Sequence, residues 1–228
     1  MPKRQMVDSG DFVYHVLNRG AKRSRLFESS SDYRALEQIL WEAKVRISMA
    51  ILAYCIMPNH WHLVLKPSSG KQLSQFMHWF TVTHVHRWQR FHETVGTGAV
   101  YQGPYKAIPV ETETQFLNVC RYVERNPLRA RLVIQAQDWR WSSLWRREHV
   151  VDEMLATWPV SRPDKWTSLV NGFEEPELTT IRAAVRRGVP CGDPGWVDQT
   201  AHTFGLHAHL NPTGRPKRAA KRDPGSLF

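Results

Sequence analysis

Two histidines one residue apart and, far downstream, a tyrosine and an asparagine four residues apart are the side chains best suited to chemistry. His60 and His62 lie in ILAYCIMPNHWHLVLK, residues 51–66. Residues 51–57 have strand composition. Pro58-Asn59 is turn chemistry, because Pro fixes φ and Asn tolerates unusual backbone geometry. Residues 60–65 resume as a second strand. Side chains alternate along a strand, so His60 and His62 share one face and Trp61 takes the other. Two imidazoles on a rigid strand suit a metal ion with positions left open for substrate. Half-buried polar residues are the other reading of the pair.

Tyr122 and Asn126 lie in TETQFLNVCRYVERN, residues 112–126, a predicted helix with Phe116, Leu117, Val119, Cys120 and Val123 on its apolar side. At i and i+4 they share a helix face. The Asn126 carbonyl oxygen is a hard ligand suited to Mg²⁺ or Mn²⁺. Tyr122 offers a phenolic oxygen one turn away. Packed over the histidine face, this helix completes a three-ligand site, His60, His62 and Asn126, with a nucleophile beside it. Pro127 disfavours helical geometry at Asn126, so the helix is expected to end there. A further short helix is expected over residues 128–133.

At 228 residues the chain can bury a sizeable core, as one domain or one domain with an appendage. A net charge of +10 and a pI near 9.9 suit a polyanionic partner, with nucleic acid first and an anionic membrane second. The opening residues MPKRQMVDSGDF lack the apolar segment of a signal peptide. No apolar run reaches the ~18 residues of a membrane span. Cys55, Cys120 and Cys191 form neither a CxxC pair nor a disulfide framework. The expectation is a cytoplasmic, nucleoid-associated protein with reduced thiols.

The other elements must position those residues. Residues 11–18 read as a strand, stopped by Arg19-Gly20 and followed by a polar loop with Lys22, Arg23 and Arg25. Ser30 or Ser31 is expected to cap a helix carrying Tyr33, Leu36, Ile39 and Leu40. After 67-PSSG-70 a long helix carries Leu73, Phe76, Met77, Phe80, His84, Trp88 and Phe91 on one stripe. The spacing of its other histidines, His78, His86 and His92, does not put three on one face, and they read as partly exposed or DNA-facing residues rather than metal ligands. Residues 101–110 read as an edge strand, because Pro104 and Pro109 cannot donate to a ladder. The 139-WRWSSLW-145 stretch reads as packing. The order strand, helix, strand, strand, helix, strand, helix predicts an α+β fold. It is a ferredoxin-like antiparallel sheet with helices on one face, over residues 1–150. Residues 151–228 read as a C-terminal extension, with short helices at 178–187 and 196–206 and a basic tail, RPKRAAKR.

The succession MPNHWHL, long helix, YQGPYKA, RYVERNPLRA resembles the REP-associated tyrosine transposases, within the single-tyrosine insertion-sequence transposases of the HUH nuclease superfamily. The resemblance covers residues 12–145, including HVLNRG and WRWSS. Tail segments at 181–196 and 214–218 are also similar to some members. It implies His60 and His62 as paired metal ligands, Asn126 as third ligand in the place of a more usual glutamine, and Tyr122 as nucleophile. The implied chemistry is Mg²⁺- or Mn²⁺-dependent cleavage and transfer of single-stranded DNA beside palindromic hairpins, through a 5′-phosphotyrosine link. Implied DNA contacts are Arg19, Lys106, Arg121 and, in the tail, Arg215, Lys217 and Arg218. One departure is Pro104, where the family often has Arg; Lys106 is the nearby charge. Monomer and homodimer are both open. The competing functions are a non-catalytic DNA-binding regulator derived from a transposase, a nuclease in which water attacks, and a basic RNA-binding module.

Overall fold

The structure is a computed structural model that describes residues 12–111, 113–151, 153–172, 176–206 and 210, with the side chains of residues 176 and 177 left out. Strand β1 spans Val13–Arg19, β2 Ala50–Met57, β3 His60–Lys66 and β4 Lys106–Val110. They form one antiparallel sheet in the order β2-β3-β1-β4. With α1, Ser30–Ile47, between β1 and β2, and α2, Gly70–Phe91, between β3 and β4, this is the expected ferredoxin-like arrangement. Helix α3 follows over Thr114–Arg129, then α4, Ser143–His149, α5, Trp166–Asn171, α6, Pro176–Arg187, and α7, Pro194–Thr203. Among the described residues, no helix is long and apolar enough to cross a membrane.

The helices do not all lie on one face, which corrects that part of the expectation. Alternate residues of the strands belong to two apolar clusters. Tyr14, Val16, Ile56, Trp61, Leu63 and Leu65 pack with α1 and α2. Val13, Cys55, Met57, Val64 and Ile108 pack with Phe116, Val119, Cys120 and Val123 of α3. The physical reason lies in β2 and β3, whose burial is nearly continuous rather than alternating. A strand apolar on both faces needs cover on both. The extension contributes Trp158, Trp166, Val170, Ile181, Ala184 and Cys191 to the α3 cluster.

Several boundaries differ from expectation. The cap of α1 is Ser29, in a reciprocal capping box with Asp32. The last strand starts at Lys106, and Tyr101 makes only an isolated bridge to Gly20. Helix α3 continues through Pro127 to Arg129, so no separate helix follows at 128–133.

Both sheet edges are covered. Ser142 bridges Cys55 of β2, and the Ile56 amide donates to the Trp141 carbonyl at 2.9 Å. Cys191 bridges Val110 of β4, with Glu111 and Cys191 amides closing the pair. These contacts satisfy ladder groups that would otherwise stay open.

The β2–β3 turn is pinned from outside. The Pro58 carbonyl accepts from the amides of Leu26 and Phe27, and the Asn59 carbonyl accepts from that of Gly20. Gly20 is required by close approach: a Cβ there would sit 2.5 Å from the Ser24 carbonyl oxygen. The exposed loop bearing Lys22, Arg23 and Arg25 is therefore held beside the turn that carries His60.

Behind β3, Trp61 is fully buried against Phe80. Its indole N–H donates to the Tyr101 hydroxyl at 2.8 Å, and that hydroxyl pairs with His84 Nδ1 at 2.6 Å. Replacing Tyr101 with Phe strands both buried partners. We expect Tyr101→Phe to lower the unfolding free energy by about 1–3 kcal/mol in urea denaturation; an unchanged midpoint would show that the relay contributes nothing.

Candidate active site

The strand alternation places His60 and His62 on the α3 face of the sheet, with ring centroids 5.0 Å apart. They are 8% and 2% exposed. His60 Nδ1 pairs with Asn59 Oδ1 at 2.6 Å. His62 Nδ1 pairs with His15 Nε2 at 2.9 Å. Both Nδ1 atoms are thus engaged, which leaves the two Nε2 atoms for a ligand. Burial lowers the pKa of His60 to about 3, helped by the charges of Arg19 and Arg129. Burial also holds His62 well below the ordinary histidine value, followed by His60, His15, Arg129 and Arg19. Both imidazoles are neutral at pH 7.

Helix α3 brings Tyr122 to this pair. Its ring meets His62 edge-on at 5.8 Å and His15 at the same distance. Tyr122 is 7% exposed. Burial raises its pKa, while the positive charges of Arg129, Arg182 and Arg19 pull it back down. The same α3 face carries Asn126, fully buried. Its Nδ2 donates to the carbonyls of Tyr122 at 2.9 Å and Val123 at 3.4 Å. The Val123 carbonyl lacks its usual helical donor because position 127 is proline. The Asn126 side chain fills that gap, which is how the helix passes through Pro127. Its Oδ1 accepts from Arg129 Nη2 at 2.9 Å.

Helix α3 is locked at this height by a buried carboxylate. Glu124 accepts from the Ser143 hydroxyl and from Trp166 Nε1, and burial raises its pKa. Ser143 also accepts from the Tyr54 amide of β2. One carboxyl therefore ties α3 to α4, α5 and the sheet.

The expected DNA contacts separate. Arg19 is cross-strand from His60 and belongs to the site. Lys106 is exposed, but its amine donates to the Val185 and Arg186 carbonyls, where it caps the end of α6. Arg121 is 7% exposed with its guanidinium beside Gly172, so this position faces the α5 end rather than solvent. Arg215, Lys217 and Arg218 lie outside the described residues.

Three site residues escaped the sequence reading. His15 carried a signal, since positions 13, 15, 17 and 19 of β1 share a face, but the pairing of β1 with β3 is a tertiary fact. Arg129 was hidden by ending the helix at Asn126. Arg182 comes from α6 and has no local signal. Among the described residues, no three His, Cys, Asp or Glu side chains converge as a metal cage.

A family model described as IS200-like transposase matches residues 9–126, just over half of the 228 residues. The chain belongs to the IS200-like transposase family. Among solved structures it is similar to the REP-associated tyrosine transposase bound to a REP hairpin, at 17% identity and a TM-score of 0.49, covering 72% of this chain and 94% of that one. It is also similar to a candidate transposase from Deinococcus radiodurans, at 13% identity and a TM-score of 0.36, covering 54% of this chain and 95% of that one. Comparison with curated proteins finds no match.

The buried imidazoles of this family member make its stability pH-dependent. His15, His60 and His84 each have a folded pKa near 3 against an ordinary 6.5. Below pH 6.5 the unfolded chain takes up protons that the folded chain refuses. Stability is therefore full above pH 6.5 and lost as pH falls toward 3. By pH 5 the expected loss is on the order of 2 kcal/mol per histidine. Urea denaturation at pH 7.5 and pH 5 checks this, and equal stabilities would contradict it.

Proposed function

We propose that this chain cleaves and transfers single-stranded DNA beside REP-type hairpins, with Tyr122 as nucleophile and Mg²⁺ or Mn²⁺ held by His60, His62 and Asn126. The observation that carries this reading is the edge contact of Tyr122 with His62, where the charges of Arg129, Arg182 and Arg19 act on the phenol. The histidine pair suits a divalent cation, and Asn126, one helical turn from Tyr122, is the third ligand we propose. Two neutral imidazoles stand side by side with their Nε2 atoms uncommitted. The Asn126 oxygen has two lone pairs, one of which accepts from Arg129. Bound there, a divalent cation would supply positive charge to the non-bridging oxygens of the scissile phosphate.

The chain's own residues do the rest. A buried phenol resists ionisation, and Arg129, Arg182 and Arg19 offset only part of that resistance, so a net upward shift remains. The same guanidinium charges would favour the negative charge that a phosphodiester brings to Tyr122. The Tyr122 oxygen bonds to phosphorus, its proton passes to solvent, and the bond from phosphorus to the 3′ oxygen breaks. The 3′ oxygen leaves as a hydroxyl, taking up a proton. The phosphate remains on Tyr122 as a 5′-phosphotyrosine. A second 3′-hydroxyl reverses the step without ATP, because the ester energy is kept. The packing of Tyr122 against the imidazoles supports an enzyme over a non-catalytic DNA-binding regulator. The loop with Lys22, Arg23 and Arg25 lies where it would hold flanking phosphates, with salt-dependent affinity.

Incubation with a hairpin-flanked single strand and Mn²⁺ should give a protein–DNA adduct that survives denaturation. Tyr122→Phe should abolish the adduct and cut cleavage by more than about 10²-fold, with hairpin binding kept near wild type. Cleavage that persists in this variant would assign the attack to water. His60→Ala and His62→Ala should each remove Mn²⁺-dependent cleavage without lowering hairpin affinity, and wild-type rates under chelation would refute the metal.

A further inference from the structure

Behind the two proposed ligands stands a third imidazole that the reaction itself does not use. His15 is 1% exposed and lies on β1, the strand next to β3. Its ring stacks on that of His62, with centroids 5.0 Å apart and planes 29° apart. Its Nε2 is 2.9 Å from His62 Nδ1. We propose that His15 is a positioning residue that accepts a hydrogen bond from His62 Nδ1 and so keeps His62 Nε2 free of a proton, facing the cation. The proposal rests on the reading of His60 and His62 as metal ligands.

One proton lies between the two nitrogens, and only two arrangements exist. If His15 Nε2 donates, the neutral His62 ring must carry its own proton on Nε2, and that atom cannot ligate. If His62 Nδ1 donates, Nε2 keeps its lone pair and His15 carries its proton on Nδ1. His60 indicates which arrangement the site uses. Its Nδ1 faces the Asn59 side-chain oxygen, which only accepts, so His60 Nδ1 must donate and its Nε2 is a lone pair. The same device, an acceptor behind Nδ1, serves both ligands: an amide oxygen for His60 and an imidazole nitrogen for His62. Tyr122 closes the remaining side, since its ring meets both His15 and His62 edge-on.

Two variants separate positioning from packing. His15→Gln can place an amide oxygen near the Nε2 position and still accept from His62. His15→Phe keeps a ring in the core and removes the acceptor. The first readout is the ¹⁵N spectrum of histidine-labelled, metal-free protein, which reports which nitrogen of His62 is protonated. The second is Mn²⁺ binding by direct titration, with thermal melts to verify folding. Wild type should show His62 protonated at Nδ1. His15→Phe should move that proton to Nε2 and weaken Mn²⁺ binding by about 10–100-fold. His15→Gln should keep the wild-type pattern and most of the affinity. The proposal is overturned if wild-type His62 is protonated at Nε2, or if a folded His15→Phe binds Mn²⁺ like wild type. It is also overturned if His15→Gln falls as far as His15→Phe. Failure of the metal reading looks different: wild type and His60→Ala would bind Mn²⁺ equally, and the ¹⁵N spectrum would then decide the role of His15 alone.

Discussion

Burial of β3 on both faces is the constraint from which the rest follows. Alternation sends His60 and His62 to one side and Trp61 to the other. The Trp61 side is an ordinary core, with the Trp61 indole N–H satisfied by Tyr101. The other side must cover two imidazoles, and covering them excludes charge. Desolvation keeps them neutral, and neutral imidazoles are what a cation needs. The histidine pair therefore depends on α3 being pressed against the sheet, not on the strand alone.

The height and rotation of α3 are set by contacts away from the site. Glu124 sits two residues from Tyr122 in the chain and points to the opposite partners, Ser143 and Trp166. A fully buried carboxyl is costly unless its oxygens are bonded, and here both are. The segment 139–143 also closes the β2 edge, so sheet, α3 and α4 meet at one hydrogen-bonded corner. The extension then packs α5 and α6 along α3. Through Arg182 it adds charge to the tyrosine's surroundings. Residues after 150 thus act on the site by packing as well as by charge.

Pro127 shows how a local rule and a tertiary outcome part company. The rule that a residue before proline avoids helical geometry is sound for an isolated segment. Here the Asn126 amide supplies the missing donor, and burial of α3 outweighs the residual strain. One more helical turn then exists, and Arg129 stands on it, bonded to Asn126 and acting on Tyr122. Asn126 is consequently both a proposed ligand and a brace for the helix and for an arginine.

By itself, the sequence determined what local periodicity controls. It set the period-two face shared by His60 and His62 and the four-residue spacing of Tyr122 and Asn126. It also set the alternation of elements that folds as a ferredoxin-like sheet. These follow from backbone geometry within one element, so they are legible in one stretch of chain. Tertiary structure decided which elements face each other: α3 on the second face of the sheet, His15 behind His62, Arg182 brought from α6. It also withdrew Arg121 into a contact with the α5 end and gave Lys106 to the end of α6. Those outcomes depend on pairings between segments distant in the chain, where the energy lies in packing and desolvation that no single segment encodes.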